Sequence, residues 1–275
     1  MDLTNPADLK AALRLAGIKA NKGLGQHFLV DRASVEAVMD AAGVEAGDAV
    51  LEIGPGLGVL TQALLARGAR VTAVETDAVL AGLLRRDAPA ELTVVEQDFM
   101  RYDLTLLPTG YKVAANIPYY LTSKIFRLLL EAKNPPSVAA LLVQKEVAER
   151  VTAKPGAMST LAFSVQYYSR PELVRVVGRE LFLPPPRVDS AVLRLEIGGP
   201  AFPADVAKLF RLVRAGFGER RKQLKNSLAG GLGCTVDTAV ELLAAAGLKP
   251  TARAQELAMT DWRRLYAKSD EAGLL

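Results

Sequence analysis

Asn116-Ile117-Pro118-Tyr119 bring an amide, a proline and an aromatic together in four residues. They follow the apolar run Val113-Ala114-Ala115, which reads as a buried strand, so they fall at a strand's carboxyl end. Open parallel sheets place their ligand crevice there. The Asn116 amide oxygen and the Ile117 carbonyl can both accept from an NH2 group. Pro118 fixes its own φ and keeps Ile117 extended, which aims that carbonyl. Tyr119 offers a ring for stacking. Such a set suits a flat base carrying an exocyclic amine. Alone, the tetrapeptide is also compatible with a plain strand-end turn and helix N-cap, and the upstream residues decide between the two.

Upstream, Ala49-Val50-Leu51-Glu52-Ile53 read as a buried strand, followed by Gly54-Pro55-Gly56-Leu57-Gly58 and a helical pattern from Val59 to Arg67. The spacing is G-x-G-x-G, not the G-x-G-x-x-G that seats a pyrophosphate on a helix N-terminus. A second strand, Arg70 to Val74, ends in Glu75, about twenty residues beyond the glycines and placed to accept from ribose hydroxyls. A third, Leu92 to Val95, leads to Glu96-Gln97-Asp98-Phe99. There Asp98 can accept from an adenine amino group while Phe99 or Met100 packs beside the ring. A glycine-rich strand–helix turn by itself is often only a packing solution. Three strand tips in succession, each with the expected group, describe an adenosine without an extended phosphate chain.

Together these segments resemble the Rossmann-like S-adenosylmethionine-dependent methyltransferases, and more narrowly the ribosomal RNA adenine N6-dimethyltransferases, the KsgA/RsmA family. The resemblance begins at Gly25-Gln26-His27-Phe28-Leu29-Val30-Asp31 and continues through Leu51–Gly56, Glu75-Thr76-Asp77, Gln97-Asp98 and Asn116–Tyr119. It extends to Phe182-Leu183-Pro184-Pro185-Pro186-Arg187-Val188-Asp189-Ser190-Ala191-Val192, then Phe217–Leu228, then Arg253-Ala254-Gln255-Glu256-Leu257. The first and the proline-rich segments are particular to the rRNA adenine enzymes, whereas many methyltransferases share the glycine turn.

The resemblance implies an α/β fold, a Rossmann-like seven-stranded methyltransferase sheet with a small C-terminal helical domain. It implies that Gly54 and Gly56 let the backbone approach the methionine part of S-adenosyl-L-methionine, with Glu75 at the ribose and Asp98 at the adenine. His27 and Leu29 match positions that cover the cofactor, and Asn116 borders it as well as the substrate. Many relatives carry Asn where this chain has His27. The implied catalytic set is Asn116, Tyr119 and Phe182, the two rings sandwiching the base at roughly 1–3 kcal/mol per contact. That is comparable with the few kcal/mol needed to unstack a base. Without the resemblance, Phe182 reads equally as a core aromatic before a proline turn.

The chemistry needs little acid–base help. The N6 lone pair is delocalised into the ring, so hydrogen bonds to Asn116 and Ile117 would favour the pyramidal, nucleophilic geometry. Alignment with an activated methyl supplies much of the rest, on the order of 7–11 kcal/mol for well-oriented groups. The family installs two methyls on each of two neighbouring adenines, near the 3′ end of small-subunit rRNA.

Charge points to a polyanionic partner. The 275 residues hold 34 Lys and Arg against 30 Asp and Glu. Residues 200–275 hold 12 against 8, so the excess of +4 lies there and residues 1–199 are neutral. Arg220, Arg221, Lys222 and Lys225 read as one face of one helix, either solvated or in contact with RNA phosphates. Gly198-Gly199-Pro200 is the clearest linker, giving a catalytic domain over 1–199 and a helical RNA-binding domain over 200–275.

Other segments read as a short helix over 8–17, a glycine-containing loop over 21–28, and a helix from Arg32 to Ala42 between Asp31 and Gly43. A core strand over 139–144, a helix over 145–152 and two strands, 173–177 and 190–197, complete the sheet. One cysteine, Cys234, excludes an internal disulfide, and with one histidine no metal site is expected. The first residues lack the pattern of a signal peptide, and no apolar run approaches a membrane span. A monomeric, cytoplasmic enzyme acting on small-subunit rRNA or the pre-ribosomal small subunit is expected. The rivals are a resistance-type large-subunit rRNA adenine methyltransferase and an assembly-checkpoint binding protein. A nicotinamide oxidoreductase fits neither the glycine spacing nor the absence of a hydride-transfer constellation.

Overall fold

Alternating apolar runs and amphipathic segments produce a seven-stranded sheet and its helices in a computed structural model, which describes residues 1–18, 26–86, 88–219 and 222–275. The loop expected over 21–28 lies mostly outside the described residues, and its last residue, Phe28, is in a strand. In chain order the elements begin with α1 (Pro6–Leu15), β1 (Phe28–Leu29), α2 (Arg32–Ala42), β2 (Ala49–Ile53), α3 (Val59–Ala66) and β3 (Arg70–Glu75). Next come α4 (Ala78–Arg86), β4 (Leu92–Glu96), β5 (Lys112–Asn116), α5 (Thr122–Leu130), β6 (Val138–Gln144) and α6 (Lys145–Val151). Then follow α7 (Thr160–Tyr168), β7 (Ser169–Val177), β8 (Phe182–Leu183) and β9 (Ser190–Ile197), and last α8 (Val206–Phe217), α9 (Leu224–Leu232), α10 (Val236–Ala245) and α11 (Met259–Glu271).

Packing divides the chain into two units, Met1–Ala148 with Arg170–Gly198, and Glu149–Ser169 with Gly199–Leu275. The sequence reading placed one boundary at 199/200; residues 149–169 instead group with the C-terminal helices. The reason is aromatic: Phe163 of α7 packs edge-on against Trp262 of α11, ring centroids 5.6 Å apart.

In the first unit the sheet order is β4-β3-β2-β5-β6-β9-β7. β2 pairs in parallel with β3 and with β5, and β6 pairs antiparallel with β9. The chain leaves β2 toward β3 and β4, then returns to its other side as β5, so the strand order reverses between β2 and β5. A crevice opens outside the carboxyl ends of strands at such a point. β7 starts at Ser169, earlier than the expected 173, and contains Pro171; as an edge strand it tolerates the missing N–H.

α2 has the expected bounds. The Asp31 side chain accepts from the Ser34 N–H, and Gly43 closes the helix at φ 60°. Val35, Val38, Met39 and Ala42 share its inner face and join Val50, Ala114, Ala140 and Val192 in the core. Burying each large side chain is worth roughly 1.5–3 kcal/mol, against under about 1 kcal/mol for valine's helix propensity. Packing decides this helix.

In the second unit, Trp262 is fully buried and Phe217 stacks on it at 5.5 Å. A Cβ on Gly231 would lie 2.5 Å from that of Ala215, so α8 and α9 approach closely through a glycine. The basic cluster is not one helix. α8 ends at Phe217 and α9 starts at Leu224, whose N–H bonds the Ala252 carbonyl at 2.8 Å. Lys222 lies between the helices, paired with Glu219 at 2.5 Å, and Lys225 is in the first turn of α9. Arg220 and Arg221 lie outside the described residues. Among the described residues no single helix is long and apolar enough to cross a membrane.

Candidate active site

A cavity of about 470 Å³ opens at the carboxyl ends of β2, β3 and β5. At the end of β2, Gly54, Gly56 and Gly58 have φ of 65°, 59° and 86°, where a side chain is strained. At Gly56 space is tight too, since a Cβ would lie 3.0 Å from the Phe28 ring; at Gly54 nothing stands within 4 Å and φ alone demands glycine.

Glu75, the last residue of β3, is 7% exposed. Its carboxylate accepts from the Gly56 N–H at 3.0 Å and from the Asp77 N–H at 2.9 Å. The acidic strand tip is thereby tied to the glycine turn. A carboxylate has about four acceptor positions, so capacity remains for ribose hydroxyls. Beyond β4, Asp98 caps a one-turn helix, Phe99–Arg101, by accepting from the Met100 N–H at 2.9 Å. Asp98, Phe99 and Met100 all line the cavity.

At the end of β5, the Asn116 side chain donates from Nδ2 to the His27 carbonyl at 2.8 Å. A carbonyl only accepts, so this bond fixes which end of the amide is which. Oδ1 makes no hydrogen bond among the described residues, and Asn116 lines the cavity. His27 Nδ1 lies 2.7 Å from the Pro184 carbonyl, which only accepts, so Nδ1 is the donor and Nε2 is left to other partners. The His27 ring stacks loosely on Tyr119, centroids 6.1 Å apart and planes 21° from parallel. The half-buried Tyr119 hydroxyl lies 2.6 Å from Ser190 Oγ. Desolvation pushes its ionisation up, the Ser190 hydrogen bond opposing that. Pro118, Tyr120 and Leu121 line the cavity here rather than Tyr119 itself.

His27 and Leu29 line the cavity because β1 pairs antiparallel with β8, Leu29 opposite Phe182. That pairing also sets the surroundings of Phe182, the second ring of the expected stack. The ring is 2% exposed, sits in the core with Leu29, Val35 and Val38, and does not line the cavity. Strand pairing turned it inward, which its place before a proline run could not reveal.

Glu52, inside the apolar run of β2, is a lining residue without a role in the sequence reading. It is 2% exposed, lines the cavity, and accepts from the Thr61 hydroxyl at 2.6 Å. Burial pushes its carboxyl up to about 8, partly countered by the Thr61 hydrogen bond and reinforced by Glu75. A carboxylate inside the apolar run Ala49–Ile53 was the available signal. With Glu52 pushed toward its neutral form by burial, the acidic character of this end of the cavity rests on Glu75.

The family model described as ribosomal RNA adenine dimethylase matches residues 17–269. The chain is similar to a ribosomal RNA small subunit methyltransferase A of Dehalococcoides mccartyi, 41% identical over 255 residues covering 90% of this chain and 88% of the relative. A protein of the same name from Geobacillus thermodenitrificans is 35% identical over 280 residues, covering 96% of each. Among solved structures, a dimethyladenosine transferase from Plasmodium falciparum superposes with a TM-score of 0.80 at 25% identity, over 90% of this chain and 98% of that one. The 23S rRNA methyltransferase ErmE superposes with a TM-score of 0.71 at 29% identity, over 88% and 99%.

Proposed function

The chain belongs to the ribosomal RNA adenine dimethylase family and is an rRNA adenine dimethyltransferase; we propose that it dimethylates N6 of two adjacent adenosines in the 3′-terminal hairpin loop of small-subunit rRNA. The observation that carries the reading is the Asn116 amide. Its NH2 end is committed to the His27 carbonyl, which turns Oδ1 to a proton-bearing amine such as adenine N6.

S-adenosyl-L-methionine, the methyl donor, supplies a methyl group already activated on a sulfonium. The residues present fit it. Glu75 retains acceptor capacity for ribose hydroxyls, and Asp98 borders the cavity where an adenine amine could bond. Gly54 and Gly56 keep the turn free of side chains, and His27 and Leu29 cover the cavity from β1. Asn116 Oδ1 and the Ile117 carbonyl accept from N6 and favour its pyramidal form as positive charge develops. Tyr119 offers a ring to the base beside Asn116. Phe182 is not assigned a stacking role.

Arg220, Arg221, Lys222 and Lys225 contact RNA phosphates, which position the substrate without reading its sequence. The protein acts as a cytoplasmic monomer on small-subunit rRNA or the pre-ribosomal small subunit, and its in-line transfer calls on no metal. The large-subunit alternative is not favoured, since the relatives matching most of the chain at 35–41% identity carry the small-subunit name. Mass spectrometry of rRNA incubated with the protein and labelled cofactor tests the proposal. Dimethyladenosine at two neighbouring small-subunit positions is expected, and label confined to large-subunit rRNA would overturn it.

A further inference from the structure

Tyr119 and Ser190 are 71 residues apart in sequence, yet their hydroxyls lie 2.6 Å apart. The two ends of that contact differ in rigidity. Ser190 opens β9, is fully buried, and stands in register with Gln144 of β6. The residue before it is also pinned: the Asp189 carbonyl accepts from the Lys145 N–H at 3.0 Å and its carboxylate from the Arg179 N–H at 3.2 Å. Tyr119, by contrast, starts a single 3-10 turn, Tyr119–Leu121, that has no side-chain cap. The one ring contact it makes among the described residues is the loose stack on His27.

A phenol on a short turn keeps its rotamer freedom unless its far end is held. Without the serine hydroxyl the phenol loses its hydrogen-bond partner among the described residues, and its face would sample orientations unsuited to a planar base. From this geometry we infer that Ser190 is a positioning residue for methyl transfer: it fixes the Tyr119 phenol from the sheet, so that the ring keeps one orientation beside Asn116. The serine is fully buried and does not line the cavity. The inference rests on the adenine-N6 reading of the site given above.

A purely structural pair would cost stability and leave turnover alone, so the test separates the two. Methylation of unmethylated small ribosomal subunits is measured for the wild type, Ser190→Ala, Tyr119→Phe and the double variant, with melting temperature and S-adenosylmethionine affinity for each. Each single variant is expected to lose about tenfold in kcat with KM for the subunit and cofactor affinity unchanged, as loss of one hydrogen bond implies. The double variant should fall no further, because both singles remove the same bond. Ser190→Ala at wild-type kcat, or losses that multiply in the double variant, would overturn the inference. Should Ser190→Ala not fold, Tyr119→Phe decides alone, since it removes the bond without touching β9; wild-type kcat there overturns it. A wild type that methylates no adenine sinks the proposed function and this inference together. An active wild type with indifferent variants sinks only this one.

Discussion

Asn116 has one amide and two tasks. Its nitrogen holds the His27 backbone and its oxygen is left for the proposed N6 amine, so truncation removes both the hydrogen bond to His27 and the proposed acceptor. Asn116→Ala is expected to lower kcat by about 10²- to 10³-fold, as loss of one transition-state hydrogen bond does elsewhere. Calorimetric affinity for S-adenosylmethionine should change far less, and near-normal turnover would remove Asn116 from the mechanism. Glu75 presents the reverse case, for its carboxylate faces the cavity while bonded to Gly56 and Asp77. Glu75→Ala loses the proposed ribose acceptor and loosens the glycine turn at once. Cofactor affinity should drop by at least about tenfold, the worth of one hydrogen bond to a charged group, and an unchanged Kd would refute the ribose assignment.

The β2–turn–α3 unit shows how an element imposes a condition on its residues. Glu52 alternates inward on a strand buried on both faces, so it is 2% exposed and its carboxyl leans on Thr61 of α3, whose hydroxyl donates to it. Its pKa rises from 4.5 to about 8 chiefly through that burial. Below 4.5 the group is neutral in folded and unfolded chains, and its contribution to stability is fully present. Between 4.5 and about 8 the unfolded chain releases the proton while the folded chain keeps it, so stability falls as pH rises. Glu52→Gln is expected to flatten the fall in melting temperature across that window, since glutamine keeps an acceptor for Thr61 and cannot ionise. Asp48 and Asp103, whose carboxyls are held below their ordinary value, act at lower pH. Parallel melting curves for the two proteins would show Glu52 already ionised in the fold.

For the molecule as a whole, the charge asymmetry is the feature that reaches beyond the cavity. All of the net +4 lies in residues 200–275. Neutralising two phosphate contacts should reduce the slope of log binding constant against log salt by between about 1 and 2. Lys222→Ala combined with Lys225→Ala is the test, read by RNA binding at several salt concentrations. The Lys222–Glu219 pair is exposed and worth little, so folding should be spared. An unaltered slope would move the RNA surface elsewhere.

Much of this was written in local order. The G-x-G-x-G turn, Glu75, Asp98 and Asn116 each follow an apolar strand, and parallel sheets bring strand ends together by construction, so one line of sequence located the cavity. Asp31 and Gly43 bounded α2 because caps act within a few residues. What could not be read were facts set by distant pairing. Phe182 faces the core because Leu29, 153 residues earlier, pairs beside it. Tyr119 meets Ser190 because β9 runs antiparallel to β6. Glu52 has its carboxyl pushed up because the packed strands around it bury it. The sequence carries the identity and spacing of groups along the chain, whereas orientation, burial and ionisation depend on neighbours that only the folded sheet supplies.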